Sequence, residues 1–202
     1  MKKVILLNSG GVDSRVVAAM CHRDGWEIHS LYFDINQDNR ERCMKAAQRT
    51  ADLYCKEHTV VPLSVLDIKT NPFAGGRGVA HSSLLNHMLA AMFSSKWGIT
   101  YIVSGQKSDV AGTSIGGKGG LSYIYTLQKV FNQNQVIKPP IIMMPFADHE
   151  MDYTPVFDIA KELKVPLDDT ASCGNVVPCY TRKEETPCYK CKDRKKFNLP
   201  NN

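Results

Sequence analysis

The sequence predicts an α/β protein built on a doubly wound, five-stranded parallel sheet, followed by a small cysteine-rich segment. Five short apolar segments of strand length alternate with stretches of helical periodicity. The first three units follow one another through crossovers of about 15 residues, a length typical of parallel strands connected by helices. The chain has 202 residues, of which 43% are hydrophobic, enough for one such domain with a core of its own.

The first unit surrounds a glycine-rich turn. The apolar run Val4–Leu7 has strand length, and Ser14–Asp24 has apolar residues at helical spacing and stops before Gly25, a typical C-terminal cap. Between them, Gly10 and Gly11 allow a sharp turn and a close approach of backbone N–H groups to a ligand. We expect Asp13 or Ser14 to cap the helix.

Strand, glycine-rich turn and helix N-terminus together predict an anion-binding site suited to phosphate. The candidate residues are Asn8, Ser9, Gly10, Gly11, Val12, Asp13 and Ser14. A tight turn before a capped helix, with no ligand, is the alternative interpretation. The turn is not a Walker A loop, since no Gly-Lys-Ser or Gly-Lys-Thr follows it.

The later elements follow from the same patterns. The predicted strands are Glu27–Phe33, Lys56–Pro62, Tyr101–Ser104 and Ile141–Met144, and the predicted helices are Asn39–Tyr54, Ser82–Trp97, Leu121–Asn134 and Thr154–Leu163. Ligands of doubly wound sheets bind outside the carboxyl ends of the strands. The loops expected there are the Ser9 loop, Asp34–Gln37, Gly75–Gly78 and Gly105–Gly112, and all of them are polar or rich in glycine.

Charge and hydropathy exclude some function classes. The formal net charge of +5 comes largely from the stretch that begins at Arg182, so a general nucleic-acid-binding surface is not indicated. A solvated basic tail is the simpler interpretation of that stretch. Because no apolar run reaches the ~18 residues of a membrane span, we expect a soluble, cytoplasmic protein without a membrane partner.

The seven cysteines fall into two groups. Cys21, Cys43 and Cys55 lie in helical or strand-edge surroundings and are expected to be small buried residues. The other four are Cys173, Cys179, Cys188 and Cys191. Four thiolates in one short segment suit tetrahedral zinc, so we expect a zinc-binding tail over 169–202 packed on a domain over 1–168. A nucleophilic or redox cysteine pair and unligated reduced cysteines remain the alternatives.

Several motifs resemble the 7-cyano-7-deazaguanine synthase family of N-type ATP pyrophosphatases, which have a Rossmann-like fold. The string Ser-Gly-Gly-Val-Asp-Ser resembles the family's pyrophosphate loop SGGxDS, and Phe33-Asp34-Ile35-Asn36-Gln37 resembles its FDYGQ motif. Gly76-Arg77 resembles part of the family's VPGRN loop, and Ser104-Gly105-Gln106 through Asp109 and Gly112 resembles its GxNxxDxxG segment. Thr170-Ala171-Ser172-Cys173 resembles TWSC. The closing Cys188-x-x-Cys191, with Arg194 and Phe197, resembles the family's CxxCxxR and the aromatic residue after it.

The resemblance implies an ATP-dependent ligase that converts 7-carboxy-7-deazaguanine and ammonia to 7-cyano-7-deazaguanine through acyl-adenylate and amide intermediates. It implies ATP, Mg²⁺ and Zn²⁺ as cofactors and a homodimer as the assembly. Ser9, Asp13 and Arg77 are the expected catalytic residues. Gln37, Gly105 and Asp109 are expected to join the Ser9 loop in lining the nucleotide and acceptor side, and the four later cysteines to bind zinc.

Two departures from the family pattern concern the acceptor and the ATP loop. The family's Pro-Asp-Cys-Arg segment has no clear counterpart in Thr113–Gly116, and Arg15 stands where the family usually has a small hydroxyl residue. Another adenylating enzyme on the same scaffold, acting in tRNA thiolation or in base or protein amidation, is therefore the alternative. A non-enzymatic zinc-binding nucleic-acid module is a more distant one.

Overall fold

The computed structural model describes residues 1–35, 39–63, 82–106, 119–133, 138–147 and 154–171, together with Phe197. Within these ranges the strands are β1 (Lys3–Leu7), β2 (Glu27–Asp34), β3 (Glu57–Pro62), β4 (Tyr101–Ser104) and β5 (Ile141–Met143). The helices are α1 (Val12–Arg23), α2 (Arg40–Tyr54), α3 (Ser82–Trp97), α4 (Gly119–Asn132) and α5 (Thr154–Glu162). The predicted alternation of strands and helices is confirmed.

The five strands form one parallel sheet in the order β3-β2-β1-β4-β5. The chain builds outward from β1 in one direction, through β2 to β3, and then returns to place β4 on the other side of β1. This arrangement confirms the doubly wound, five-stranded α/β sheet. It also makes the gap between β1 and β4 the point at which the winding reverses.

The sheet separates the core into two layers because successive side chains of a strand point to opposite faces. Val4 and Leu6 of β1 pack in a cluster with α1 and α5, whereas Ile5 packs on the other face with residues of α3 and α4. All three side chains are fully buried. Burial on both faces explains why β1 is a continuous apolar run and does not alternate with polar residues.

Helix α1 begins two residues earlier than predicted. Its N-cap residue is Gly11, which has an extended backbone, and Asp13 and Ser14 lie inside the first turn. The prediction that Asp13 or Ser14 caps this helix is therefore wrong, because the chain enters helical geometry before reaching either residue. At the other end, Gly25 has a φ of +72° immediately after the C-cap, as expected of a terminating glycine.

Candidate nucleotide site

The predicted phosphate loop lies where the sheet changes direction. It connects β1 to α1, and β1 has β2 and β4 as its two neighbours. Gly105 is the first residue of the predicted loop Gly105–Gly112. It follows β4 directly and therefore lies at the same edge of the sheet as the phosphate loop. In open α/β sheets this edge, at this position, is where ligands bind.

Asn8 holds the loop to the body of the protein. Its side chain is buried, and its amide nitrogen donates to Ser30 Oγ and to the carbonyl of Ala47, both at 2.9 Å. Its Oδ1 accepts the N–H of Gly10 at 3.1 Å. The amide thus joins β1, β2 and α2 and leaves the loop with one defined path. These contacts give Asn8 a role in shaping the loop, while direct contact with a nucleotide stays a prediction.

Gly10 occupies a position that no other residue fits. Its φ is +75°, and a Cβ added there would lie 2.3 Å from the carbonyl oxygen of Cys43 and 3.0 Å from the backbone nitrogen of Ala47. Both obstacles are backbone atoms of α2, so they cannot rotate away. The Gly10 carbonyl accepts the N–H of Ala171 at 2.8 Å. The glycine therefore lets the loop lie directly on α2 and on the segment before the cysteine-rich tail.

One side of the loop carries the start of α1 and two hydroxyl groups, of which that of Ser14 is buried. Ser9 is exposed, and its Oγ lies 3.4 Å from Ser14 Oγ and accepts the Gly11 N–H at a long 3.3 Å. Ser14 Oγ donates to the Gly11 carbonyl at 3.0 Å. Gly11, the N-cap, makes no side-chain cap hydrogen bond. A helix start of this kind, flanked by two hydroxyl groups, fits a phosphate, which accepts hydrogen bonds and is attracted by the helix dipole.

Asp13 and Gly105 are brought together across the reversal point. A Cβ on Gly105 would lie 2.6 Å from the carbonyl carbon of Asp13 and 2.9 Å from its Cβ. The first turn of α1 therefore packs on the residue that follows β4. Asp13 is half-buried at this junction, and its carboxylate is a suitable ligand type for Mg²⁺.

Arg15 is a residue whose part in the site the sequence did not reveal. Its side chain is fully buried, although arginine is rarely so. Nε donates to Thr50 Oγ1 at 2.9 Å, Nη1 to the carbonyl of Pro166 at 2.8 Å, and Nη2 to the carbonyl of Ala46 at 3.2 Å. Nη1 also pairs with the carboxylate of Asp169. The departure from the family pattern at this position was visible in the sequence, but its partners were not.

Asp34 ends β2 at the same edge of the sheet. It is buried, and its Oδ2 lies 3.0 Å from Nη2 of Arg40 in the first turn of α2. Asp34 belongs to the FDYGQ-like motif, and Arg40 is a partner that the motif does not include. The ion pair fixes the start of α2 beside the carboxyl end of the neighbouring strand.

Other predicted site residues lie outside the described residues. They are Gln37, Arg77, Asp109, Cys173, Cys179, Cys188 and Cys191. Within the ranges that the structure describes, no group of three or more His, Cys, Asp or Glu side chains could hold a metal ion. Cys21 and Cys43 are buried as expected, and Cys55 is partly buried. Burial raises the pKa of the Cys21 thiol to about 11 and that of Cys55 to about 12, where Cys21 adds to the effect.

Residues 3–84 match the family model described as Queuosine biosynthesis protein QueC. A 7-cyano-7-deazaguanine synthase from Campylobacter concisus is 36% identical over 84 residues, which are 42% of this chain and 36% of that protein. One from Rickettsia akari is 37% identical over 75 residues, which are 37% of this chain and 31% of that protein. The chain resembles the 7-cyano-7-deazaguanine synthases.

The extent of the match separates two parts of the chain. The matched segment contains the phosphate loop and the first three strands, and the match covers about a third of the length of these curated relatives. A solved structure described as a predicted subunit of tRNA methyltransferase from Methanocaldococcus jannaschii has a TM-score of 0.53 at 18% identity. It covers 80% of this chain and 75% of that one, and it shows the fold alone. No described helix is both long enough and apolar enough to span a bilayer.

Proposed function

We propose that this protein is an ATP-dependent ligase that converts 7-carboxy-7-deazaguanine and ammonia to 7-cyano-7-deazaguanine. The observation that carries the proposal is the loop between β1 and α1: its SGGxDS sequence, its place at the reversal point of the sheet, and the matched segment 3–84 that contains it. A loop of this type holds the leaving pyrophosphate, which suits adenylyl transfer.

Each predicted site residue then has a distinct task, including Gln37, Arg77 and Asp109, which lie outside the described residues. The Gly11 N–H, the first turn of α1 and the hydroxyls of Ser9 and Ser14 bind the pyrophosphate and stabilise charge as it develops. Asp13 would hold Mg²⁺, which would offset the negative charge of the triphosphate. Arg77 supplies a guanidinium whose two parallel N–H groups match phosphate or carboxylate oxygens. Gln37, Gly105 and Asp109 line the nucleotide and acceptor side.

The chemistry needs no covalent bond to the protein. A carboxylate oxygen of the substrate attacks the α-phosphorus of ATP, and pyrophosphate leaves. Ammonia attacks the resulting acyl-adenylate at its carbonyl carbon, AMP leaves, and an amide remains. The amide oxygen then attacks a second ATP in the same way, and loss of AMP and of the remaining nitrogen protons gives the nitrile.

The test measures AMP and nitrile together. Purified protein is incubated with ATP, Mg²⁺, ammonium and 7-carboxy-7-deazaguanine, and we expect two AMP for each nitrile formed. Omitting ammonium should stop nitrile formation while pyrophosphate is still released in the first adenylation. AMP release at the background rate in the complete mixture would contradict the named substrate.

The tail is proposed to bind zinc through Cys173, Cys179, Cys188 and Cys191. Four thiolates form a donor set typical of structural zinc. The described residues that flank this stretch are both held: Ala171 donates to Gly10, and Phe197 stacks on Phe157 of α5 with ring centroids 3.9 Å apart. We expect one zinc per chain by elemental analysis, and Cys191→Ser should lower it while Cys43→Ser should not. Equal zinc in the two variants would contradict the assignment.

A homodimer is proposed through the outer face of α3 and α4. Leu84, Met88 and Met92 are exposed at a spacing of four residues, and Met92 is 68% exposed. Met88 and Met92 also line a groove of about 370 Å³ with Phe131, Pro139 and Pro140. Pro140 directly precedes β5, so the groove lies near the amino ends of the strands. The phosphate loop lies at their carboxyl ends. Light scattering should show a dimer that Met92→Glu dissociates; a wild-type monomer would contradict this assembly.

A different acceptor is the second candidate function. The observation in its favour is that the match to the family ends at residue 84 and includes the ATP loop but not the chain beyond it. Under this alternative the protein adenylates a tRNA base, another base or a protein amide precursor. Isotope exchange between pyrophosphate and ATP, stimulated by one acceptor from a panel that includes unmodified tRNA, would distinguish the two. Stimulation by 7-carboxy-7-deazaguanine alone excludes the second candidate.

A further inference from the structure

Arg15 joins three separate parts of the chain behind the phosphate loop. The residue belongs to the first turns of α1, and its guanidinium reaches Thr50 and Ala46 of α2 as well as Pro166 and Asp169 of the segment 165–171. Arg49 of α2 also approaches Asp169, with its Nε 3.5 Å from Oδ2. One buried cation therefore connects both neighbours of the loop.

Most of these partners of Arg15 are neutral acceptors, which hold the guanidinium in place but do not neutralise its charge. Its side chain is fully buried, whereas that of Asp169 is 47% exposed. The other three acceptors are the carbonyls of Ala46 and Pro166 and the hydroxyl of Thr50. Because a planar guanidinium satisfies such acceptors only in one orientation, it sets the spacing between the elements that carry them.

Those same elements form the walls around Gly10. On one side, the backbone of α2 at Cys43 and Ala47 leaves no room for a side chain at Gly10. On the other side, Ala171 donates to the Gly10 carbonyl and lies two residues after Asp169. A shift of either wall would move Gly10 and, with it, the N-cap Gly11.

We infer that Arg15 is a positioning residue for nucleotide binding: it sets the geometry of the phosphate loop by holding α2 and the segment 165–171 against it. The inference rests on the proposed function, and it predicts an effect on ATP affinity in a residue that touches no phosphate. A purely structural Arg15 would affect thermal stability alone.

The experiment compares Arg15→Lys and Asp169→Asn in the intact chain. Binding of a non-hydrolysable ATP analogue is measured by calorimetry, and KM for ATP and kcat are measured from AMP release. We expect Kd and KM to rise on the order of tenfold in Arg15→Lys and severalfold in Asp169→Asn, with kcat at saturating ATP nearly unchanged, because the loop is displaced and not removed. Asp169→Asn is the variant least at risk of misfolding, since its side chain is half-exposed.

The matched controls come from the other end of the same helix. Arg23 and Asp24 form an exposed ion pair at 2.7 Å, and Arg23→Lys and Asp24→Asn should leave Kd and KM unchanged. The double variant of Arg15→Lys with Asp169→Asn should bind no more weakly than Arg15→Lys, since both substitutions break one network.

Two failures are distinguishable. Variants that lose thermal stability but keep the wild-type Kd and KM would overturn the positioning role. A wild-type protein that binds the ATP analogue but forms no nitrile contradicts the proposed function instead, and the binding comparison between variants still decides the role of Arg15.

Discussion

The two ends of the central strands use polar groups in opposite ways. At the carboxyl end, Asn8 and Arg15 are buried, and most of their partners are backbone carbonyls and hydroxyls of other elements. At the amino end, Glu27 of β2 accepts from His29 at 2.9 Å, Lys3 at 3.0 Å and Lys56 at 3.1 Å near the surface. Buried polar groups specify a geometry, whereas surface charges mainly make stability depend on pH and salt.

The largest expected loss of stability comes from substituting Gly10, which lies at the carboxyl end of the central strands. Gly10→Ala places a Cβ 2.3 Å from the Cys43 carbonyl in a left-handed backbone, so we expect a loss on the order of 3 kcal/mol or more in unfolding free energy, together with loss of ATP binding. Gly25→Ala is the matched control: its φ is +72° and nothing lies within 4 Å of the added Cβ. It should lose only about 1–2 kcal/mol. Equal losses by chemical denaturation would show that the contact with α2 is unimportant.

A smaller loss of stability is expected where the first turn of α1 packs on Gly105, the residue that follows β4. Gly105→Ala would place a Cβ against the backbone of Asp13, so α1 must move away from β4. We expect a loss of about 1–3 kcal/mol in stability and a larger fractional loss in ATP affinity. Gly98→Ala, which adds a Cβ in open space, serves as the control for affinity. Unchanged affinity in Gly105→Ala would separate the β4 end from the nucleotide site.

We expect the charged groups at the amino end of the strands to make the stability of the protein depend on pH. The hydrogen bond from His29, with those from Lys3 and Lys56, lowers the pKa of Glu27 to about 2 from its ordinary 4.5. The unfolded chain therefore binds more protons between these values, and stability falls as pH drops from about 4.5 toward 2.

Glu27→Gln should flatten the pH dependence of denaturant unfolding in that window and leave ATP affinity unchanged. Glu162→Gln, an exposed residue at the end of α5, should keep the wild-type slope. An altered ATP affinity in Glu27→Gln would contradict the expectation that the amino end of the strands affects stability but not nucleotide binding.

The smallest effect concerns reactivity. Burial raises the thiol pKa of Cys21 to about 11 and that of the partly buried Cys55 to about 12, so little thiolate is present at neutral pH. We expect iodoacetamide at pH 7.5 to label them slowly in the folded protein and readily after denaturation, as measured by mass spectrometry. Fast labelling of either residue in the folded protein would show that its surroundings open to solvent.

The sequence predicted the helices and strands well because local patterns determine them. Buried parallel strands are short apolar runs, and the predicted ends of most elements lie within two residues of the observed ones. Helix α1 starts earlier than predicted because Gly11 serves as its N-cap, although aspartate and serine are residue types preferred at that position.

The interior of the site was less predictable, for a physical reason. Gly10, Gly11 and Asp13 belong to one contiguous motif, which a single sequence displays. Arg15 instead contacts Thr50 and Pro166, which are 35 and 151 positions away, and no periodicity relates such residues. Polar networks between distant elements depend on the finished fold, so the departure at Arg15 could be noticed but not interpreted.

The position of β1 in the middle of the sheet divides the sheet into two parts that share this one strand. One edge of β1 bonds to β2 and the other to β4, so replacements along β4 and β5 leave the ladder between β1 and β2 intact. The family model matches residues 3–84, which contain β1, β2 and β3, whereas the similarity to the archaeal structure is one of fold and covers 80% of the chain.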